Sequence, residues 1–305
     1  MQIGIVGAGG IGSYYAGLLS NAGSSVKLVA RGEHLQAIEA NGLQVRTPDR
    51  SFVARPAVAA DSALVADCDA VIVAVKSYSL AEVGPGLAAA AVNGAAIVPL
   101  LNGVDVADRL AQLGVPRGSI VGGLVRASLV RIAPGVVERK SPFDRVTLGE
   151  FDRQPSDRTR QLVDAFGAGG TGASLSDDIA LDLWRKFAFI VPMNVVCGLS
   201  RGPIGPVIAS ERGRALLAGS LHELAEVARA GGVAFSEADE AQIGGELLAL
   251  VPGMRPSFLA DLERGGPTEL DLLAGAVSRL GHQRGVPTPI HDVATAAFEI
   301  ATRPS

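Results

Sequence analysis

The chain has 305 residues, 48 % of them hydrophobic, and a net charge of −4 from 27 basic and 31 acidic side chains. That length suggests two domains, each with enough apolar material for its own core. No basic block is visible, which argues against a nucleic acid partner, and the 38 glycines follow no three-residue period, which excludes collagen.

The two cysteines, Cys68 and Cys197, fit neither a disulfide framework nor a zinc spacing. They read as buried thiols in a reducing compartment, and no metal site is expected. Met1-Gln2-Ile3 leads straight into a strand, with no cationic stretch followed by an apolar one. The longest apolar run, Phe187 to Leu199, contains Asn194 and is too short to span a bilayer. A cytoplasmic protein with no membrane partner is the expectation.

Gln2-Ile3-Gly4-Ile5-Val6 is a short apolar run of the kind found in buried parallel strands. Gly7-Ala8-Gly9-Gly10-Ile11-Gly12 follows, then a helical stretch from Ser13 to Ala22. This is G-x-G-x-x-G in a strand–turn–helix setting. Gly7 allows a tight turn, Gly9 lets the backbone approach a pyrophosphate, and Gly12 lets the helix pack on the strand. The helix N-terminus offers its unpaired N–H groups to the phosphates.

Ser25 to Ala30 is the next strand. Where an NAD enzyme usually carries an acidic residue for the ribose 2′-hydroxyl, this chain has Arg31, a cation suited to a 2′-phosphate and hence to NADP. Gly42 to Val58 suggests short strands or a hairpin. Asp69 to Val75 is another buried strand, and it delivers Lys76 to the edge where ligands bind in such sheets. A helix over Leu80 to Ala91 and a strand over Ala95 to Leu101 follow, the latter leading into Asn102-Gly103. Asn102 is either a hydrogen-bonding group for cofactor or substrate or an ordinary turn former.

Ser119 to Gly149 reads as strands: Ile120 to Gly122, Leu124 to Ile132, Val136 to Glu138 and Val146 to Gly149, with a turn at Pro134-Gly135. A helix is expected over Ser156 to Phe166. The glycine-rich Gly167 to Gly172 marks a boundary, giving domains of 1–168 and 169–305. Beyond it the pattern predicts helices alone, over about Asp178 to Leu199, Pro206 to Ala230, a stretch after Ser236, Pro256 to Arg264, Thr268 to Arg284 and Thr288 to Thr302.

The first of these helices carries Lys186 and Asn194 in an otherwise apolar run. At about 100° per residue, Lys186, Ile190, Met193, Asn194 and Cys197 share one face. A buried cation and amide need polar company, so this helix is expected to face a nucleotide cofactor held by the first half of the chain. Pro192 cannot donate to the carbonyl of Ala188, which predicts a kink. Ser257 begins a short helix. Glu269 and Asp271 follow Pro267-Thr268, where a carboxylate also complements a helix dipole and Thr268 with Asp271 resembles a capping box.

Taken together, Gly7 to Gly12, Arg31, Lys76, Asn102-Gly103-Val104, Leu183-Trp184-Arg185-Lys186, Asn194, Ser257 and Thr268-Glu269-Leu270-Asp271 resemble the ketopantoate reductase family through essentially the whole chain. The Trp-Arg-Lys and Thr-Glu-Leu-Asp segments are the specific part, since many dehydrogenases share the glycine motif. The resemblance implies an α/β fold: an N-terminal Rossmann-type dinucleotide-binding domain, then an all-helical C-terminal domain, with NADPH in the cleft between them. It implies reduction of 2-dehydropantoate to (R)-pantoate in pantothenate biosynthesis. By the same resemblance Lys186 is the general acid and Glu269 its acidic partner. Asn102, Asn194 and Ser257 line the substrate or cofactor pocket, and Gly7, Gly9, Gly10, Ile11, Gly12, Arg31 and Lys76 serve the cofactor.

One position departs from the family pattern. Four residues after the lysine, where its best-known members carry asparagine, this chain has Ile190. The departure opens an alternative, a different and more apolar 2-oxo acid or other carbonyl compound. A second alternative is a module that senses NADP(H) without turnover, which would not need both Lys186 and Glu269. The apolar closing helices fit either a homodimer interface or the completion of a core.

Overall fold

The computed structural model describes residues 1–302. The chain forms two compact units, one from Met1–Leu101 and Val106–Ile179, the other from Asn102–Asp105 and the chain beyond Ala180.

The first unit begins β1 (Gln2–Val6), α1 (Gly10–Asn21), β2 (Ser25–Val29), α2 (Gly32–Asn41), β3 (Leu43–Arg46), β4 (Ser51–Ala54) and β5 (Ala57–Ala59). It continues with β6 (Ala70–Val73), α3 (Leu80–Val92), β7 (Ala96–Pro99), α4 (Val106–Gln112), β8 (Gly122–Arg126), β9 (Leu129–Ala133), β10 (Val136–Arg139), β11 (Arg145–Gly149), α5 (Asp157–Ala168) and β12 (Gly172–Leu175). Five strands form a parallel sheet in the order β5-β2-β1-β6-β7. In its own strand count this is 3-2-1-4-5, the first five strands of the dinucleotide-binding order 3-2-1-4-5-6. Every residue of β6 and β7 is buried, which explains their unbroken apolar sequence.

Two smaller sheets run β4-β3-β10-β9 and β12-β11-β8. The hairpin expected between Gly42 and Val58 is the antiparallel pair β3–β4. The single strand expected over Leu124 to Ile132 is broken at Ala127-Ser128, and its halves enter different sheets. Ser128 is held there by both backbone groups: its N–H donates to Ser141 Oγ at 2.9 Å and its carbonyl accepts from Lys140 N at 2.8 Å. Helices α2 and α4 were not foreseen in the sequence.

The change of unit falls at 179/180 instead of 168/169, and the expectation of helices alone beyond 168 fails at β12. That strand pairs in parallel with β11 and so belongs to the first unit. The reason is Asp144, whose carboxylate accepts from Tyr15 Oη at 2.6 Å and Thr171 Oγ1 at 3.0 Å, while its carbonyl accepts from Gly172 N at 3.0 Å. The glycine-rich stretch is a pinned turn between α5 and β12, not a linker.

The second unit is helical: α6 (Ile179–Ser200), α7 (Ile204–Ala209), α8 (Glu211–Ala230), α9 (Glu237–Leu248), α10 (Ser257–Arg264), α11 (Ala274–Arg284) and α12 (Pro289–Thr302). α6 passes through Pro192 as one continuous helix. The single helix expected from Pro206 to Ala230 breaks at Ser210, which is extended (φ −90°, ψ 133°) and accepts from Gly213 N at 3.2 Å as an N-cap. The helix expected from Thr268 begins only at Ala274, after a 3₁₀ turn over Leu270–Leu272. Glu269 precedes that turn, and no side-chain cap forms there. The cap at Ser236 is a full capping box with Asp239.

Among the described residues no helix is long and apolar enough to cross a membrane, and no group of three or more His, Cys, Asp or Glu side chains stands ready for a metal. Cys68 and Cys197 are buried, and burial pushes both thiols up to about 11, well away from a reactive thiolate.

Buried His34 joins three elements of the first unit. Its Nδ1 accepts from Gly135 N at 2.8 Å, so its Nε2 carries the proton and donates to Ser13 Oγ at 3.0 Å. Burial, reinforced by Arg131, lowers its pKa from the ordinary 6.5 to about 4. Between those values the unfolded chain takes up a proton that the folded chain refuses. The contribution is therefore present above pH 6.5 and is lost as pH falls toward 4. Thermal melts across this range will show stability falling with pH, and His34→Gln will have a shallower slope whatever its absolute midpoint.

Candidate active site

The motif glycines are enforced by contact. Gly7 has φ +106°, and a Cβ there would lie 2.6 Å from the backbone of Ala74 and Val75. A Cβ on Gly12 would sit 1.8 Å from the carbonyl oxygen of Gly7, and one on Gly10 would sit 2.2 Å from that of Leu129. Gly9 is the opposite case: nothing lies within 4 Å of the Cβ it lacks. α1 is thus packed tightly against β1 and β9 while one side of its first turn is open. Gly9 caps that helix without a side chain, and no acidic residue sits in the first turn. The free N–H groups and positive dipole end fit a pyrophosphate, with Ile11 half-buried beside them.

Arg31 lies just past the carboxyl end of β2, as the N-terminal flank of α2, with an extended backbone. Its guanidinium pairs with Glu82 at 2.7 Å, both side chains being more than half exposed. Such a pair is weak, about 0–1 kcal/mol. Lys76 flanks the 3₁₀ turn Ser77–Ser79 after β6, at the same sheet edge.

A pocket of about 80 Å³ lies within the second unit. Its polar lining is Asn102, Asn194, Ser257, Asp261 and Glu269. Its apolar lining is Ile190, Met193, Pro256, Phe258 and Leu273. Four of the expected site residues, Asn102, Asn194, Ser257 and Glu269, are therefore brought together from four distant stretches of chain. Lys186 is half-buried on α6, one turn before Ile190, and the pocket wall begins at Ile190. Asp261 escaped the sequence reading, although it lies four residues after Ser257 on the same face of α10, and that spacing was the available signal. Asp261 also pairs with exposed Arg264 at 3.1 Å.

Asn194 carries the most specific polarity in the pocket. It is only 6 % exposed, and its Nδ2 donates to the Ile190 carbonyl at 2.6 Å. That bond decides which end of the amide is which. The remaining atom, Oδ1, is buried and has no hydrogen-bond partner among the described residues. A buried acceptor left unmet costs about 1–3 kcal/mol, so a group that brings a donor to this atom would be favoured there.

The sequence matches the ketopantoate reductase PanE/ApbA family over residues 3–153 and the C-terminal part of that family over residues 178–300. The chain belongs to the ketopantoate reductase family. It is 31 % identical to a 2-dehydropantoate 2-reductase of Mesorhizobium japonicum over 97 % of this chain and 96 % of that one. A PanE/ApbA family ketopantoate reductase from Ralstonia eutropha superposes with a TM-score of 0.90 at 29 % identity, covering 99 % and 98 % of the two chains. D-mandelate dehydrogenase, solved with NADH and anilino(oxo)acetate, shares the fold with a TM-score of 0.88 at 24 % identity, covering 99 % of this chain and 98 % of that one. As a member of this family the protein is an NAD(P)-dependent oxidoreductase.

The open side of Gly9 gives a direct test of the dinucleotide site. Gly9→Ala adds a methyl that meets no protein atom within 4 Å, so its melting temperature will stay within about 2 °C of the parent. Its affinity for a nicotinamide dinucleotide, followed by fluorescence titration, will drop by about tenfold or more, because that methyl occupies the approach of the pyrophosphate.

Proposed function

We propose that this protein reduces 2-dehydropantoate to (R)-pantoate with NADPH, as a step of pantothenate biosynthesis in the cytoplasm. The observation that carries the reading is the convergence of Asn102, Asn194, Ser257 and Glu269 on one small pocket in which the Asn194 oxygen awaits a donor. The substrate has matching parts. Its carboxylate and carbonyl want donors, which Ser257 and the Asn102 amide can offer. Its terminal hydroxyl supplies a donor for Asn194 Oδ1, and its two methyl groups suit Ile190, Met193 and Phe258.

When bound, reduced nicotinamide supplies the hydride. As the carbonyl carbon gains hydrogen, the π electrons move to oxygen. Lys186 Nζ stabilises the growing charge and gives that oxygen its proton, becoming a neutral amine. By the resemblance Glu269 is its acidic partner, and from the pocket wall its carboxylate can accept from a substrate hydroxyl. Arg31 and Lys76 give the adenosine side two cations for a 2′-phosphate, and this supports NADPH over NADH.

A second reading within the same family rests on Ile190. With Met193, Phe258 and Leu273 it gives the pocket an apolar wall, which favours a 2-oxo acid with a plain hydrocarbon side chain. Oxidation of NADPH in the presence of 2-dehydropantoate and of branched 2-oxo acids lacking the hydroxyl decides between them. Preference for 2-dehydropantoate is expected, and a higher kcat/KM for an unhydroxylated acid would replace that substrate.

Lys186→Ala will lose about 10²–10⁴ in kcat while binding NADPH as before, which single-turnover kinetics and titration can separate. Unchanged turnover would remove Lys186 from the chemistry. Arg31→Ala will lower kcat/KM for NADPH by about tenfold and leave NADH nearly unaffected. Equal losses with both cofactors would discard the 2′-phosphate role.

A further inference from the structure

We propose that Arg279 is a positioning residue that sets Asn102 and Glu269 in their places through one guanidinium. The inference rests on the reading of the pocket as a 2-oxo acid site. Arg279 projects from α11. Its Nη2 donates to the carboxylate of Asp105, which is only 7 % exposed. Its Nη1 donates to the carbonyls of Asp271 at 3.4 Å and Gly275 at 3.3 Å. One side chain therefore ties the Asn102–Asp105 loop, the 3₁₀ turn over Leu270–Leu272 and the first turn of α11.

Two pocket residues hang on those ties. Asn102 lies three residues before Asp105, and Glu269 lies two residues before Asp271. Between Asn102 and Asp105 the backbone passes through Gly103 at φ +123°, a conformation with little rigidity of its own. The loop needs an external anchor. Val104 packs against the core of the second unit and supplies an apolar one. The charge-assisted bond from Arg279 to a nearly buried carboxylate supplies the directional one. A lysine cannot span the three acceptors, because it lacks the planar fork.

Neither Arg279 nor Asp105 lines the pocket, so their loss acts through Asn102 and Glu269. Misplacing a binding group by about 1 Å costs on the order of 10²-fold. Arg279→Met keeps the hydrocarbon stem and removes the fork. It is expected to raise KM for the 2-oxo acid by about tenfold or more, with NADPH affinity within about twofold of the parent. Asp105→Asn will move KM in the same direction, and Arg279→Lys will recover part of the loss. Because the Arg279–Asp105 bond is weakened or lost in both singles, that shared part is counted once, and the double variant Asp105→Asn with Arg279→Met will lose less than the sum of the two singles.

Hydrogen–deuterium exchange supplies a readout independent of turnover. In Arg279→Met, residues 102–105 and 268–273 will exchange faster together, while α8 keeps its protection. Additive losses in the double variant, a parallel fall in NADPH affinity, or an unchanged KM would overturn the proposal. So would unchanged exchange in the two segments. If the parent turns over no 2-oxo acid, the functional reading fails on its own, and exchange still decides whether Arg279 holds the two segments. Arg279→Lys supplies both readouts should Arg279→Met fail to fold.

Discussion

The second unit is governed by what it costs to bury a polar group on α6. The helix is apolar on most sides, and Trp184, Phe187, Ala188, Val191, Val195, Val196 and Cys197 are all buried. That packing fixes its rotation and leaves Asn194 on the pocket wall, only 6 % exposed. The amide solves half of its problem locally by donating to the carbonyl of Ile190. The other half stays open as a buried acceptor. A fully satisfied asparagine would be structural, and one unmet at both ends would destabilise the helix. The half-satisfied state is compatible with a folded protein and still rewards a ligand that brings a donor.

How much of this was legible in the sequence depended on how local the cause was. The G-x-G-x-x-G turn was legible because each glycine answers to a contact within the same strand–turn–helix unit. The shared face of Ile190, Met193 and Asn194 was legible because helical periodicity is fixed by backbone geometry. The break at Ser210 was missed because a serine followed by Glu211 and Arg212 reads equally well as exposed helix surface, and only its extended backbone shows it as a cap. The late start of α11 was missed for a related reason: Thr-x-x-Asp has the pattern of a cap, and only tertiary contacts decide whether it forms. β12 was beyond local reading, since its place depends on Asp144, which is 28 residues upstream of Gly172.

The same residue types do different work elsewhere in the chain. In the second unit Ser220, His291 and Glu223 are aligned as a hydrolase triad would be, with Ser220 Oγ 3.2 Å from His291 Nε2 and His291 Nδ1 2.7 Å from Glu223 Oε2. Yet Ser220 and His291 are 0 % exposed, so no substrate reaches the hydroxyl. The Glu223 carboxylate also accepts from Ile290 N at 2.8 Å and His291 N at 3.1 Å. It satisfies the first N–H groups of α12 and fastens that helix to α8. Access, more than geometry, separates this cluster from the pocket, where Ser257 is exposed at the first residue of α10.

Ile190 and Asn194 pull the pocket toward different ligands only if a substrate is treated as uniformly polar or apolar. They lie one helical turn apart on the same face, so they meet different parts of one small molecule. Ile190 contributes hydrocarbon and the backbone carbonyl that holds the Asn194 amide. Exchanging its side chain changes the apolar wall and leaves that carbonyl in place. The acceptor at Asn194 is therefore independent of the identity of residue 190. Under the proposed reading, a quaternary carbon bearing methyl groups beside a hydroxyl satisfies both positions at once. A purely hydrocarbon acid satisfies Ile190 but leaves Asn194 Oδ1 buried and unmet, at a cost of about 1–3 kcal/mol, or roughly one to two powers of ten in binding. That difference is large enough for the pocket to select for the hydroxyl without any added repulsion.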